Sequence, residues 1–181
     1  MKKTLLLLAV TATLSIVSCK KSNSGGGEVP SNLPRTSVPA ELQGSWMYGN
    51  FSMTEYWNQS PGDYLGNALQ FAFAFKFDAD GNCEQYFTSS SVTGSVTTYQ
   101  QSVTKGTVEI DTVNKTIKTN PFKAHYKRTK NGQTLEERDL TNAELSGATV
   151  YKYTIGTEPS GTKALYLTLS GTNDALTFLK K

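Results

Sequence analysis

The sequence predicts an all-β protein, a single antiparallel up-and-down barrel of about eight strands with at most one short helical turn. Short segments in which apolar and polar residues alternate follow one another from residue 41 to the end. Turn-forming residues such as glycine, asparagine and aspartate separate these segments, and no segment shows a helical period. About 140 residues lie beyond the N-terminal segments, which is enough for one domain with an ordinary core.

The first segment is a targeting signal rather than part of the barrel. Lys2 and Lys3 precede an apolar run over residues 5–17. This run is shorter than the roughly 20 apolar residues of a membrane-spanning helix, and a charged start before a brief apolar core is typical of a secretory signal. We therefore assign residues 1–18 to a signal peptide.

The end of this signal, Ile16-Val17-Ser18-Cys19, resembles the lipobox of bacterial lipoproteins. In that family the chain is cut before the cysteine, which carries diacylglycerol on its sulfur and usually a further acyl chain on its amine. The resemblance implies that Cys19 is the lipid attachment site and that the membrane is a partner, since two or more acyl chains give stable anchoring. An ordinary signal peptide with a chance cysteine is the alternative.

The residue after the cysteine bears on the choice of membrane. Lys20 stands where an aspartate is the usual inner-membrane retention signal of enteric-type bacteria, so the resemblance implies an outer-membrane anchor. The acidic residues that often follow the cysteine in surface-exported lipoproteins are also missing, which favours the periplasmic face over the cell surface.

Residues 19–40 form the predicted tether, because they are rich in serine, glycine and proline and contain almost nothing to bury. The predicted domain is residues 41–181. Removing residues 1–18 removes two lysines and no acidic residue, so that 18 basic and 15 acidic residues become 16 and 15. The formal charge falls from +3 to +1, which argues against a nucleic-acid partner.

The clearest strand is residues 71–77, in which four phenylalanines alternate with Ala72, Ala74 and Lys76. Asp78-Ala79-Asp80-Gly81 then predicts a type I turn with the glycine at positive φ. This connection sets Phe77 opposite Cys83, and Phe73 opposite Phe87. Cys83 therefore lies on the aromatic side, where we expect a buried, inert thiol.

The remaining segments complete the predicted sheet. The other strands are expected at 96–105, 107–111, 116–119, 122–130, 133–140, 150–155, 164–170 and 175–179. Asn131-Gly132 predicts a two-residue hairpin that sets Lys127 opposite Glu136. The spacing of Thr141 and Glu144 is that of a capping box, which predicts one helical turn.

The first strand begins with Gly44-Ser45-Trp46, which resembles the G-x-W motif of lipocalins and the wider calycin group. In those proteins the tryptophan plugs the closed end of an up-and-down barrel, and a basic residue from the last strand packs over its ring. The resemblance implies that Gly44 and Trp46 close this barrel and that Lys180 or Lys181 covers Trp46. An eight-stranded barrel can hold one small ligand or be filled by its side chains.

Two groups of aromatic residues are candidate ligand-binding sites. The first is a row on one face of the sheet that either lines an apolar pocket or forms core, namely Phe71, Phe73, Phe75 and Phe87. The second is carried by the loop over residues 54–67, namely Tyr56, Trp57 and Tyr64. At the barrel mouth these rings can close over a lipid or stack on a sugar; the alternative is a loop folded back onto the rim.

The sequence offers no catalytic set, metal site or cofactor site. Asp78 and Asp80 invite a calcium interpretation, but an EF-hand-type loop needs glycine and glutamate where Cys83 and Ser89 stand. His125 has no placed serine or cysteine partner, so nothing predicts nucleophilic catalysis. We therefore expect a protein that is not an enzyme.

Asp111-Thr112-Val113 resembles the three-residue O-glycosylation sequon used on exported proteins by one group of Gram-negative bacteria, which makes Thr112 a candidate glycan site. The sequence as a whole predicts a monomeric lipoprotein whose lipocalin-like domain binds a small apolar or amphipathic molecule in the envelope. The alternative is a filled barrel whose aromatic loop binds an envelope protein or a carbohydrate.

Overall fold

The computed structural model describes residue 30, residues 32–59 and residues 69–181, with only the backbone of 69 and 70. The predicted signal peptide, Cys19 and Tyr64 lie outside these residues. The described part of the chain contains no helix and folds into one antiparallel sheet of nine strands. In this part, no helix is long and apolar enough to cross a membrane.

The strands follow one another around a closed ring. They are β1 (Gly44–Tyr48), β2 (Leu69–Phe77), β3 (Asn82–Thr93), β4 (Val96–Asp111), β5 (Thr116–Lys130), β6 (Gln133–Asp139), β7 (Thr149–Thr157), β8 (Lys163–Leu169) and β9 (Ala175–Lys180). Pairing of β9 with β1 and of β5 with β7 closes the ring over eight strands, while β6 pairs only with β5. The predicted all-β antiparallel fold is confirmed.

Two long strands replace four shorter predicted ones. β4 runs through Gly106, and β5 runs through Pro121, where the pairing slips by one residue and leaves Phe122 as the extra residue of a bulge. A Cβ atom on Gly106 would lie 2.7 Å from the carbonyl oxygen of Asn120, so the glycine permits this close approach. The bulge also accommodates Pro121, which has no N–H for the ladder.

The hairpin between β2 and β3 has the predicted register. Phe77 pairs with Cys83, and Phe73 with Phe87. Gly81 has φ of +82°, and the carboxylate of Asp78 accepts the N–H groups of the turn. The turn chemistry and the hydrophobic pattern therefore specify the same pairing.

The hairpin between β5 and β6 differs from the prediction by one residue. A bulge between Arg128 and Thr129 shifts the register, so that Lys127 pairs with Glu137 rather than with Glu136. The predicted Lys127–Glu136 pair is therefore wrong. A charge pair still forms, with 3.5 Å between Lys127 Nζ and Glu137 Oε2.

At Thr141 the structure has a non-helical turn in place of the predicted helical turn. The N–H of Thr141 donates to Glu144 Oε2 over 2.9 Å, and the N–H of Glu144 donates back to the Thr141 carbonyl over 3.0 Å. Only half of a capping box is present, because the Thr141 hydroxyl donates to Glu144 Oε2 over 2.8 Å instead of accepting the Glu144 N–H, and no helical turns follow.

The core fills the inner face of the ring towards one end, which we call the closed end. Its buried members are Val38, Leu42, Trp46, Phe75, Phe77, Cys83, Val108, Ile117, Tyr153, Leu165, Leu167 and Phe178. Burial raises the pKa of the Cys83 thiol, which keeps it protonated and unreactive.

The chain before β1 covers the closed end. The N–H of Thr36 donates to the Val108 carbonyl over 2.9 Å, and the N–H of Val38 donates to the Ala79 carbonyl over 3.1 Å. Val38 is 3% exposed and Leu42 is fully buried. The folded body thus begins before residue 41 and includes residues 34–40, which were predicted to be part of the tether.

Trp46 lies at the centre of this end. Its indole N–H donates to the Leu42 carbonyl over 2.7 Å. Lys180 Nζ lies 4.3 Å from the centroid of the Trp46 ring and donates to the Gln43 carbonyl, while burial lowers the pKa of Lys180. Gly44 has φ of +94°, and a Cβ atom there would lie 3.1 Å from Lys180 Nζ. The positive φ favours glycine at position 44, because residues with a Cβ atom rarely adopt it.

Replacing Val38 with alanine tests whether the preceding segment is part of the folded body. We expect Val38→Ala to lower the free energy of unfolding by about 2 kcal/mol, because a buried side chain is truncated. The matched control is Val113→Ala in an exposed turn, where Val113 is 88% exposed and we expect less than about 0.5 kcal/mol. Urea unfolding measures both; equal values for the two variants would show that residues 34–40 do not contribute to the fold.

Candidate functional site

The end of the ring opposite Trp46, where β1, β3 and β8 finish, exposes apolar side chains on the inner face. We call it the open end, and its apolar residues are Tyr48, Phe71, Phe73, Phe87, Leu169 and Leu176. Phe71 is 45%, Phe87 38% and Leu169 44% exposed. Large apolar side chains are therefore in contact with solvent on the face that elsewhere forms the core.

Ring contacts connect these exposed side chains to the core. Tyr48 stacks on Phe71 with 5.3 Å between ring centroids and lies 6.0 Å from the buried Phe178. Phe73 lies 6.4 Å from Phe87 and 4.7 Å from the buried Phe75. The apolar surface of the open end is thus an outward continuation of the core.

The inner face of β4 and β5 at the same end is polar. The register places Gln100 opposite Arg128 and Ser102 opposite Tyr126. The Tyr126 hydroxyl donates to Gln100 Oε1 over 3.3 Å, and an Arg128 guanidinium nitrogen lies 3.3 Å from Glu136 Oε2. Arg128 Nε is buried without a hydrogen-bond partner among the described residues. The open end therefore has one apolar side and one polar side.

Deeper in the ring, space is limited. A cavity of about 150 Å³ lies between the inner wall of β3–β5 and the chain over residues 140–149. It is lined by Gln85, Ser102, Thr104 and their neighbours, and a volume of this size suits a few water molecules. This cavity is therefore too small for a ligand of ordinary size.

The aromatic loop lies elsewhere than expected. Tyr56 is 3% exposed and packs on the outer face of β2 against Ala72 and Ala74, beside Phe51 and Tyr86. The alanines that alternate with the inward phenylalanines leave room on the outer face for these rings. Of the two alternatives, the described part of the loop folds back, onto the outer face rather than across the open end.

Hydrogen bonds fix Tyr56 in this position. Its hydroxyl accepts the N–H of Ser102 over 3.1 Å and lies within donating distance of the carbonyls of Ser102 and Phe87. The carbonyl of Tyr56 accepts bonds from the side chains of Gln59 and Gln101. Burial raises the pKa of Tyr56, so its hydroxyl stays neutral.

Beside the loop is a hollow of about 520 Å³, which we call the outer groove. Its floor is the outer face of β3–β6, and its wall is the loop over residues 53–58. The lining residues are Met53, Thr54, Glu55, Tyr56, Trp57, Asn58, Glu84, Tyr86, Val103, Lys105, Lys123, His125 and Asp139. Trp57 is half-buried and lies edge to face with His125, at 4.9 Å between centroids.

Several ionisable groups of the outer groove bind one another. His125 Nδ1 lies 2.8 Å from Asp139 Oδ1, and Lys123 Nζ lies 3.2 Å from Asp139 Oδ2. Hydrogen bonds from His125 and Lys123 hold the pKa of Asp139 below its usual value. The Tyr86 hydroxyl donates to Glu84 over 2.8 Å, and burial, together with this bond, raises the pKa of Tyr86.

The predicted site residues therefore divide into separate groups. Phe71, Phe73 and Phe87 meet at the open end, whereas Phe75 is buried in the core. Tyr56 and Trp57 lie on the opposite face of the sheet, so one small ligand cannot contact both sets. The pattern of aromatic residues did not predict that Tyr48, Leu169 and Leu176 would lie at the open end. The available signal was their relation to the core, because each of them either follows a core residue by two positions on its strand or pairs with a core residue.

Other sequence candidates have clear positions. Thr112 is exposed in the turn between β4 and β5, where Asp111 accepts the N–H groups of Val113 and Asn114 over 2.9 Å. Cys83 lies on the inner face and His125 on the outer face, so they are not partners. The described residues contain no group of three histidine, cysteine or acidic side chains that could hold a metal ion.

Comparison with protein-family models, curated proteins and solved structures gives no significant match in any of the three. The resemblances to lipoproteins and lipocalins therefore rest on residues 16–19 and 44–46 and on the arrangement of strands.

Removing the Tyr56 hydroxyl tests its role in fixing the loop. We expect Tyr56→Phe to lower the free energy of unfolding by about 1–3 kcal/mol, because buried backbone groups lose a hydrogen-bond partner. Tyr48→Phe is the matched control, since the contacts of Tyr48 are made through its ring. Urea unfolding followed by tryptophan fluorescence measures both variants, and an unchanged stability of Tyr56→Phe would contradict this role.

Proposed function

We propose that this chain is a membrane-anchored, non-enzymatic lipoprotein whose lipocalin-like ring binds a small apolar or amphipathic molecule at its open end. The observation that carries the proposal is the exposure of Phe71, Phe87 and Leu169 on a face that is otherwise core. Exposed apolar surface that continues a core is typical of ligand-binding sites.

The chemistry of the open end favours an amphipathic ligand over a wholly apolar one. An alkyl chain between Phe71 and Leu169 would remove apolar surface from water. A polar head group would lie near Gln100, Tyr126 and Arg128 on the facing wall. Because Arg128 pairs with Glu136, the wall offers hydrogen bonds without a strong net charge.

The shallow site limits the affinity. A ligand of roughly 18 heavy atoms, at about −0.3 kcal/mol per atom, would bind with a free energy of about −5.4 kcal/mol, which corresponds to a Kd of about 100 µM. A fully enclosed barrel would bind more tightly. Because the core fills the closed end of the ring, a ligand would contact the ring only at its open end, which is consistent with reversible, exchangeable binding.

The membrane anchor is part of the same proposal. It is supported by the apolar signal, by Ile16-Val17-Ser18-Cys19 and by the Ser-, Gly- and Pro-rich segment that follows. Lys20 favours the outer membrane, and the missing acidic residues favour its periplasmic face. Acyl chains on Cys19 would hold the folded body at the lipid surface.

Substitutions at the open end test ligand binding. The mature chain carrying Cys19→Ala is titrated with dansyl-labelled undecanoic acid, and we expect saturable binding. The double variant Phe71→Ser and Phe87→Ser should raise the Kd at least about tenfold, which is about 1.4 kcal/mol of lost apolar contact. Leu135→Ser on β6, where Leu135 is 56% exposed, is the control and should leave the Kd unchanged.

Native mass spectrometry of the same chain mixed with the probe complements the titration, because a bound probe adds mass that denaturation removes. The proposal fails if the probe shows no saturable binding, or if the double variant, with an unchanged circular dichroism spectrum, binds as the parent does.

Substitution of Cys19 tests the anchor. In a Gram-negative host supplied with alkyne-palmitate, the full-length chain should be labelled and should enter the detergent phase. Cys19→Ala should abolish both, because it removes the sulfur that carries the lipid, whereas Cys83→Ala is the control and should retain both. Labelling that survives Cys19→Ala would show that another residue is modified.

A further inference from the structure

We propose that the outer groove is a second binding site, for a neutral oligosaccharide, and that it acts independently of the open end. Its volume of about 520 Å³ lies within the roughly 300–1,000 Å³ of small-molecule sites. It lies on the opposite face of the sheet from Phe71 and Phe87, so its ligand cannot be the one bound at the open end.

The groove is held open by the fold. Its floor consists of paired strands, and its wall is fixed by the buried Tyr56 and by Gln59, whose amide oxygen accepts the N–H of Ser52 over 2.9 Å. The Trp57 carbonyl also lies 3.5 Å from Lys127 Nζ, on β5. A site whose walls are already ordered loses little conformational entropy when a ligand binds.

Aromatic side chains supply the apolar contact that a sugar ring needs. Trp57 and Tyr86 both line the groove and are only partly buried. Such rings combine an apolar body with a polar group, which suits a ligand with C–H faces and hydroxyl edges. Tyr56, named with Trp57 from the sequence, is buried beneath them and serves as the anchor of the loop.

The charges of the groove decide the class of ligand. Glu84 lies 3.8 Å from both Lys76 and Lys105, and Asp139 binds Lys123 and His125. An anionic ligand would meet the carboxylates, and a cationic ligand would meet the lysines. Hydroxyl groups, by contrast, can accept from an ammonium group and donate to a carboxylate while these pairs stay intact.

The length of the site favours more than one sugar unit. A second hollow of about 330 Å³ lies on the other side of Trp57 and is lined by polar side chains that include Gln59, Lys127 and Thr134. Trp57 and Asn58 line both hollows. A chain of two or more sugars would therefore cross Trp57, with one unit in each hollow.

An array of neutral and acidic glycans, followed by calorimetry with the best neutral glycan, tests this site in the mature Cys19→Ala chain. We expect saturable binding of neutral glycans. Trp57→Ala should weaken it at least about tenfold, which is about 1.4 kcal/mol. Because Trp57→Ala also removes a loop contact, Lys105→Met provides a second variant on a paired strand, and about a threefold loss is expected from the removal of one hydrogen-bond donor.

Two controls separate this site from the open end and from general charge effects. Phe71→Ser should leave glycan binding unchanged, and so should Lys152→Met, which removes an exposed lysine on β7. The inference is overturned if no neutral glycan binds with a Kd below about 10 mM, a limit weaker than the affinity of most specific sites. It is also overturned if only acidic glycans bind, or if neither Trp57→Ala nor Lys105→Met changes the affinity.

Discussion

The alternation of phenylalanine and alanine along β2 determines what both faces of this sheet can do. Because side chains alternate between faces, each phenylalanine points into the ring and each alanine points outward. Phe75 and Phe77 are buried in the core, and Phe73 and Phe71 extend the same row towards the open end. Ala72 and Ala74 leave a shallow surface outside, on which Phe51 and Tyr56 pack. A one-residue slip of this strand would exchange the two faces and remove both the core and the loop contact.

The two ends of the ring differ because only one has a cover among the described residues. At the closed end, Val38, Leu42 and Trp46 fill the space, and Lys180 adds a cation over the indole ring. The cation is partly desolvated, and its bond to the Gln43 carbonyl offsets that cost. At the open end, aromatic residues of the same row are in contact with solvent. The asymmetry separates a part of the ring that is filled by the core from a part whose apolar side chains stay exposed.

Local patterns predicted the elements, and contacts between distant parts of the chain decided the rest. The register of the β2–β3 hairpin follows from a turn and an alternation that are both local, so it was predictable. The continuity of β4 through Gly106 and the burial of Val38 depend on contacts with other segments of the chain, so they were not predictable. The slip near Arg128 is a bulge within a hairpin, and the turn residues alone do not reveal it. The same limit applies to the sites. The aromatic row at the open end was visible as a period of two, whereas the outer groove exists only because a loop packs beside His125 and Asp139.

The position at which the chain enters the folded body has a consequence for the proposed lipoprotein. The segment that leads into β1 meets the ring at its closed end, where Thr36 and Val38 bond to it. In the proposed lipoprotein, the anchoring segment therefore joins the folded body at its closed end, opposite the proposed binding site. A ligand could therefore reach the proposed site at the open end without displacing the segment that leads to the proposed anchor.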